Sequence, residues 1–69
     1  MKVKVGKRFL ECRTAIGLTQ KQVADALGVA QPVYQRFEKG IFECNYEQLY
    51  KLSDIFDVSI DYLLGKADI

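Results

Sequence analysis

Apolar residues recur every three or four positions along nearly the whole chain, and glycines interrupt this pattern at short intervals. Such spacing is the period of an amphipathic helix, and a glycine just after the last apolar position commonly ends one. Gly17, Gly28, Gly40 and Gly65 stand at such positions. The N-terminal KVKV alternates only weakly, so no strand is predicted. The sequence therefore predicts an all-α fold of five short helices with tight connections.

Each predicted helix carries an apolar stripe that is expected to face one shared core. Residues 1–69 suit a single domain, with its core within about residues 5–65. The residues expected in the core are, helix by helix, Val5, Phe9, Cys12 and Ile16; Val23, Ala24 and Leu27; Tyr34 and Phe37; Tyr46, Leu49, Leu52, Ser53 and Phe56; and Ile60, Leu63 and Leu64.

Side chains that accept hydrogen bonds from the backbone mark three of the helix starts. Thr19 precedes the second helix, and Ser59 precedes the fifth. Asn45, followed three residues later by Gln48, resembles a capping box before the fourth. These helices are expected to begin directly after their caps.

The third helix is different, because Ala30 has no side-chain acceptor and the only proline, Pro32, follows two residues later. Proline disfavours helical geometry in the residue before it and suits the first position of a helix. We therefore predict that the third helix, over about residues 31–39, has Gln31 as its N-cap and Pro32 as its first residue.

The composition argues against metal, enzymatic and membrane functions. The chain has no histidine, and Cys12 and Cys44 are far apart, so these thiols are expected to be small buried hydrophobes in a reducing compartment. Neither the cysteines nor the serines have a histidine to activate them. No apolar run approaches the roughly 18 residues of a membrane span, and no signal peptide is recognisable. We expect a cytoplasmic protein that is not an enzyme and has no metal, cofactor or small-molecule ligand.

Charge is unevenly distributed along the chain, although the net charge is only +1. Residues 1–40 contain eight Lys or Arg against three Asp or Glu, whereas residues 41–69 contain two against six. Unless this asymmetry is an accident of a small sample, it indicates one face for a polyanion and one turned away from it.

The second and third helices are separated only by the residues GVA, which is the spacing of a helix-turn-helix. Such a pair lets its second helix project into a groove of DNA. The positions of the third helix that its pattern leaves exposed carry amide, guanidinium, ammonium and apolar groups suited to base edges and phosphates. They are Gln31, Pro32, Val33, Gln35, Arg36 and Lys39.

Over roughly residues 7–65, the chain resembles the Cro and lambda-repressor-like (XRE-type) helix-turn-helix regulators. The resemblance is carried by LTQKQVADALGVAQPVYQRFEKG followed by YEQLYKLSDIFDVSIDYLLG. It implies a compact five-helix domain that binds duplex DNA, usually as a two-fold dimer on a palindromic operator. It further implies a sequence-specific transcriptional regulator, expected to be a repressor, that reads the major groove with its third helix.

Position by position, the resemblance assigns roles at the start of the second helix. Gln20 is implied to bind phosphate and to brace the third helix, and its N–H and that of Thr19 lie where an anion is favoured. Arg13 and Glu38 match a structural pair that bridges the first and third helices. The alternative for Gln20 is that it simply starts the helix.

On the third helix, the resemblance implies that Gln31 leads base reading. Val33 and Gln35 are expected on the same groove-facing surface, and Arg36 is expected to reach a base or a phosphate. Two alternatives stay open: Gln31 could only cap the helix, and Arg36 could be a solvated surface charge.

The loop GIFECN lacks the basic residues that such regulators often carry there. Ile41 and Phe42, exposed by position, are therefore expected to pair two copies together with the fourth and fifth helices. The alternative is that Phe42 folds back onto the fourth helix. A second function class also stays open, in which the fold serves as an antitoxin or anti-regulator that binds a protein through this loop and the acidic half.

Overall fold

The computed structural model describes residues 1–66, which form five α-helices and no strand. The helices are α1 (Lys2–Ala15), α2 (Gln20–Leu27), α3 (Gln31–Lys39), α4 (Tyr46–Phe56) and α5 (Ile60–Leu63). The predicted all-α, five-helix fold is therefore confirmed. The KVKV stretch belongs to α1, and residues 67–69 of the predicted domain lie outside the described residues.

All three predicted side-chain caps are present. Thr19 and Gln22 form a reciprocal capping box at the start of α2, with N–H to side-chain oxygen distances of 2.8 and 3.1 Å. Asn45 and Gln48 repeat this arrangement at α4. At α5, the Ser59 hydroxyl accepts from the Tyr62 N–H at 3.0 Å. The caps satisfy N–H groups that a helix start leaves without an internal partner.

The core lies where the apolar stripes of all five helices meet. Its buried members are Val5, Phe9, Cys12, Val23, Ala24, Leu27, Tyr34, Phe37, Leu52, Ser53, Phe56 and Leu63, all of which were predicted. Leu49, Ile60 and Leu64 are only half-buried. Cys12 and Cys44 are free thiols, of which Cys44 is half-buried rather than buried as predicted, and burial raises the pKa of both.

Two residues predicted for the core are exposed instead. Ile16 is 46% exposed because α1 ends at Ala15 and the chain leaves the helical period there. Tyr46 is 92% exposed because it is the first residue of α4. Helical side chains tilt toward the N-terminus, so its ring extends past the end of the helix and past the core.

The start of α3 also differs from the prediction. Ala30 is the N-cap, with φ −68° and ψ 146°, and Gln31 is the first helical residue, so Pro32 occupies the second position. The Ala30 carbonyl accepts from the N–H groups of Val33 and Tyr34 at 3.0 and 3.3 Å. Proline is tolerated at the second position because its missing N–H would have no partner there. The bias of a pre-proline residue against helix is a preference, and it is overridden at Gln31.

Gly6 brings α1 into direct contact with the last turn of α3. A Cβ built on Gly6 would lie 2.6 Å from the carbonyl oxygen of Glu38 and closer still to that of Phe37. Only a residue without a side chain allows the two backbones to approach this closely. The C-terminal end of α3 therefore packs against the N-terminal half of α1.

Among residues 1–66, no helix is long and apolar enough to cross a membrane.

Candidate nucleic-acid interface

The predicted short connection between α2 and α3 is present as Gly28, Val29 and Ala30. Gly28 adopts a left-handed conformation with φ 83°, which ends α2. The N–H groups of Gly28 and Val29 both donate to the Ala24 carbonyl, at 2.9 and 3.0 Å. This tight turn, together with the packing of α2 on α3, makes the pair one unit.

The surface of α3 that is turned away from the core is rich in hydrogen-bond donors and bears no acidic side chain. Gln31, Pro32, Arg36 and Lys39 are exposed, and Gln35 is half-buried. We call these five residues the reading face. Amide, guanidinium and ammonium groups on one helix face match the groups that bind base edges and phosphates in the major groove.

Val33 does not share this surface, contrary to expectation. Its side chain is half-buried and packs against the core. Residues two positions apart on a helix point in nearly opposite directions, which separates Val33 from Gln35. Val33 therefore extends the apolar side of α3 formed by Tyr34 and Phe37.

Glu38, the only acidic residue of α3, points inward, and its negative charge is paired with Arg13. Its carboxylate is 4% exposed and is bound by Arg13 through two bonds, Nε to Oε2 at 2.6 Å and Nη2 to Oε1 at 3.2 Å. The predicted Arg13–Glu38 pair is thus confirmed. Arg13 also donates to the Leu18 carbonyl at 3.0 Å, which attaches the α1–α2 connection to the same pair.

Gln20 joins α2 to this network. Its Nε2 donates to Glu38 Oε1 at 3.0 Å, so the expected bracing contact with α3 is confirmed. Burial opposes ionisation of Glu38, but its contacts with Arg13, Tyr34 and Gln20 outweigh that effect and lower the pKa of the carboxyl. One carboxylate therefore holds α1, α2 and α3 in a fixed mutual arrangement, and we call Arg13, Gln20 and Glu38 the clamp.

Tyr34 lies beside the clamp, with its side chain fully buried. Its hydroxyl has no hydrogen-bond partner of adequate geometry among residues 1–66. Burial raises the pKa of this phenol, and the neighbouring Glu38 carboxylate raises it further. The Tyr34 hydroxyl therefore stays protonated at physiological pH, and its ring serves mainly as core.

The start of α2 offers an anion a different pair of N–H groups from the one the sequence indicated. The Thr19 N–H is already bound by the Gln22 side chain at 2.8 Å. Gln20 and Lys21 supply the first two N–H groups of the helix, which by geometry have no internal partner. A phosphate approaching here would therefore meet the N–H groups of Gln20 and Lys21, beside the Thr19 side chain.

One basic residue of the first half contacts the acidic half. The guanidinium carbon of Arg8 lies 4.4 Å from the ring centroid of Tyr62 in α5. Lys21, on α2, is paired with Asp25 at 2.9 Å. On the reading face itself, the positive charges are those of Arg36 and Lys39.

Sequence reasoning missed one contact of the reading face. The guanidinium carbon of Arg36 lies 5.4 Å from the ring centroid of Phe42, in the loop after α3. Phe42 is 44% exposed, yet it also lines an apolar pocket of about 150 Å³ beside Leu49 of α4. The spacing of six residues along the chain carries no helical signal, so no pattern in the sequence indicated this contact.

Comparisons with known proteins agree with this geometry. A family model described as helix-turn-helix matches residues 10–63. The chain is 46% identical over 54 residues to the uncharacterized HTH-type transcriptional regulator YqaE of Bacillus subtilis, covering 78% of this chain and 47% of that protein. It is 36% identical over 64 residues to the cryptic phage CTXphi transcriptional repressor RstR of Vibrio cholerae, covering 93% and 57%.

A solved structure shows the same fold. The restriction-modification controller protein C.AhdI from Aeromonas hydrophila superposes with a TM-score of 0.82 and 31% identity, covering 88% of this chain and 92% of that one. The chain spans about half the length of the curated relatives it matches. From the helix-turn-helix geometry and these matches, the chain belongs to the XRE-type helix-turn-helix family of DNA-binding transcriptional regulators.

Proposed function

We propose that this chain binds an operator in double-stranded DNA with α3 in the major groove, and that it represses transcription. The observation that carries the proposal is the reading face, a surface of α3 that is rich in hydrogen-bond donors. The one acidic residue of this helix, Glu38, lies outside that face and is bound within the clamp. A carboxylate on that surface would repel phosphate, whereas the Glu38 carboxylate points inward and accepts hydrogen bonds from Arg13 and Gln20. Similarity to RstR, named as a repressor, supports the sign of regulation.

Within the reading face, the roles follow from side-chain chemistry. Gln31 can pair with adenine through both the oxygen and the nitrogen of its amide, and Arg36 can pair with guanine or a phosphate. The Pro32 ring can meet a thymine methyl group, while Lys39 and the Gln20 N–H are suited to phosphates. Gln35 stands between these groups as a second amide.

Selection of bound sequences from a random duplex pool tests base reading, with the wild-type chain and Gln31→Ala in parallel. We expect a palindromic site whose preference relaxes at one position per half-site in the variant. Loss of a paired amide corresponds to about 1–3 kcal/mol at that position. An unchanged preference would show that Gln31 does not read a base.

The salt dependence of the affinity tests the phosphate contacts with a matched pair of lysines. Lys39→Ala should weaken binding uniformly across sequences and reduce the salt slope by about one. Lys51→Ala removes the same charge from α4, where Lys51 is paired with Glu47 at 3.3 Å, and should leave the slope unchanged. Binding whose affinity does not vary with salt would contradict the DNA-binding function as a whole.

A second copy of the chain is the proposed partner on the operator. Ile41 and Phe42 are 54% and 44% exposed, and Tyr46 and Tyr50 on α4 are 92% and 62% exposed. Together they form an apolar surface beside the pocket that Phe42 and Leu49 line. Exposed apolar clusters of this kind mark protein–protein contacts. This surface and α5 would pair the two copies across the operator dyad.

Analytical ultracentrifugation with and without the selected duplex tests this pairing. Ile41→Asp should convert the dimer to a monomer, because it places a charge inside the contact. Leu10→Asp is the control, since Leu10 is 41% exposed on α1, outside the proposed contact. A wild-type chain that remains a monomer on the duplex, or an Ile41→Asp variant that stays dimeric, would overturn the pairing.

A further inference from the structure

The loop after α3 contacts both the backbone and the side chain of Arg36. The carbonyl of Arg36 accepts hydrogen bonds from the N–H groups of Ile41 and Phe42, at 3.0 and 3.4 Å. The side chain of Arg36 then lies over the Phe42 ring, with 5.4 Å between the guanidinium carbon and the ring centroid. Backbone and side chain thus attach the same loop to the same residue of the reading face.

Other contacts hold this loop on the body of the protein. Gly40 ends α3 with φ 73°, and a Cβ there would lie 2.6 Å from the Cα of Val3 in α1. Lys2 donates to the Ile41 carbonyl at 3.4 Å. The Phe42 ring is consequently presented by a segment that is attached to both α1 and α3.

A cation–π contact of this kind leaves a guanidinium available for DNA. An exposed arginine ordinarily samples many rotamers, and contact with an aromatic face restricts it to a few. An aromatic ring that faces the guanidinium accepts no hydrogen bond from its five N–H groups, because these lie in the guanidinium plane. We therefore expect Arg36 to sample fewer rotamers in the free protein while its N–H groups stay available, which would lower the entropy lost when it binds.

We propose that Phe42 is a positioning residue for DNA recognition, which acts by holding the Arg36 guanidinium in the orientation that contacts the operator. The proposal rests on the DNA-binding function proposed above and adds a specificity role outside α3. Phe42 itself need not touch DNA. Its substitution should weaken the contact that Arg36 makes, with a base or with a phosphate, and should leave the base position that Gln31 contacts unchanged.

A double-mutant cycle measures this coupling on the duplex that the wild-type chain selects. The four proteins are wild type, Phe42→Leu, Arg36→Gln and the double variant. Leucine keeps apolar volume beside the pocket and removes the aromatic face. Phe42→Leu should weaken binding about 2- to 5-fold in the wild-type background, the range for an exposed cation–π contact. The same change should have no effect when Arg36 is already glutamine.

Two further measurements separate positioning from folding or pairing. Phe42→Tyr keeps the ring and should retain wild-type affinity. Selection from the random pool should give Phe42→Leu the same base preferences as Arg36→Gln, with the preference at the Gln31 position retained in both. Thermal melts and sedimentation of all variants accompany the cycle.

The outcomes distinguish this inference from the function on which it rests. A wild-type chain that selects no duplex overturns both. The positioning role alone is overturned if the wild-type chain binds but Phe42→Leu lowers the affinity by the same factor with Arg36 and with Arg36→Gln. It is also overturned if Phe42→Leu lowers the affinity in neither background.

Discussion

Glu38→Ala is expected to lower the free energy of unfolding by about 3–5 kcal/mol, because it leaves the buried Arg13 guanidinium without its carboxylate. Arg13 is 14% exposed, so water cannot replace the lost partner fully. Gln20 loses its acceptor in the same step. A domain of this size has roughly 3–10 kcal/mol of stability in total, so the variant should be close to unfolding at 25 °C. Urea titration followed by circular dichroism measures the change.

Two control variants make this result specific to the clamp. Asp25→Ala breaks the Lys21–Asp25 pair, whose side chains are 69% and 64% exposed, and should change stability by less than about 0.5 kcal/mol. The double variant Arg13→Met/Glu38→Leu removes both charges together and should recover most of the lost stability. A Glu38→Ala variant no less stable than Asp25→Ala would show that the clamp does not hold the helices together.

The same carboxylate makes folding sensitive to acid. Because the pKa of Glu38 is lowered in the folded chain, its contribution is complete above its ordinary value of 4.5 and is lost as the pH falls through the folded value. The stability difference between the wild type and Glu38→Gln should therefore narrow as the pH is lowered from about 6 to about 3. A difference that stays constant with pH would show that the ionised carboxylate is not responsible.

Features that depend on neighbouring residues in the sequence could be predicted from it. The starts of α2 and α4 and the C-terminal ends of α2 and α3 follow from local chemistry, since Thr19 and Asn45 cap helices and Gly28 and Gly40 terminate them. The buried stripes follow from helical spacing, which is why every buried residue of the core was predicted. The five residues of the reading face follow from the same spacing, whereas Val33, which was also expected there, packs against the core.

Features that depend on contacts between residues far apart in the sequence could not be predicted from it. Tyr46 fits the apolar stripe of α4, but the core ends before it, and no local signal records where a core ends. Arg8 belongs to the basic half by sequence and yet contacts α5. The stacking of Arg36 on Phe42 requires the path of the loop to be known. In each case, tertiary placement decides what an ambiguous side chain does.

Gly6 is a clear example of such placement, and Gly6→Ala is expected to destabilise the protein by about 2–3 kcal/mol. In an ordinary helix interior, replacing glycine with alanine stabilises by about 0.5–1 kcal/mol. Here the added methyl would meet the carbonyl oxygens of Phe37 and Glu38, which are backbone atoms and cannot rotate away. The helices must separate to admit the methyl, with the cost typical of an overpacked core. The sign of the effect therefore separates close approach from helix propensity.

Thermal and urea unfolding of Gly6→Ala measure that sign, with Lys7→Ala as the matched control. Lys7 is the next residue of α1 and is exposed, so its replacement should change stability by no more than about 0.5 kcal/mol. Because the displaced carbonyls belong to the last turn of α3, Gly6→Ala should also weaken DNA binding under conditions where it remains folded. Arg36 and Lys39 stand on that turn and would move with it. A variant with a raised melting temperature and unchanged DNA affinity would show that α1 does not seat the reading helix at Gly6.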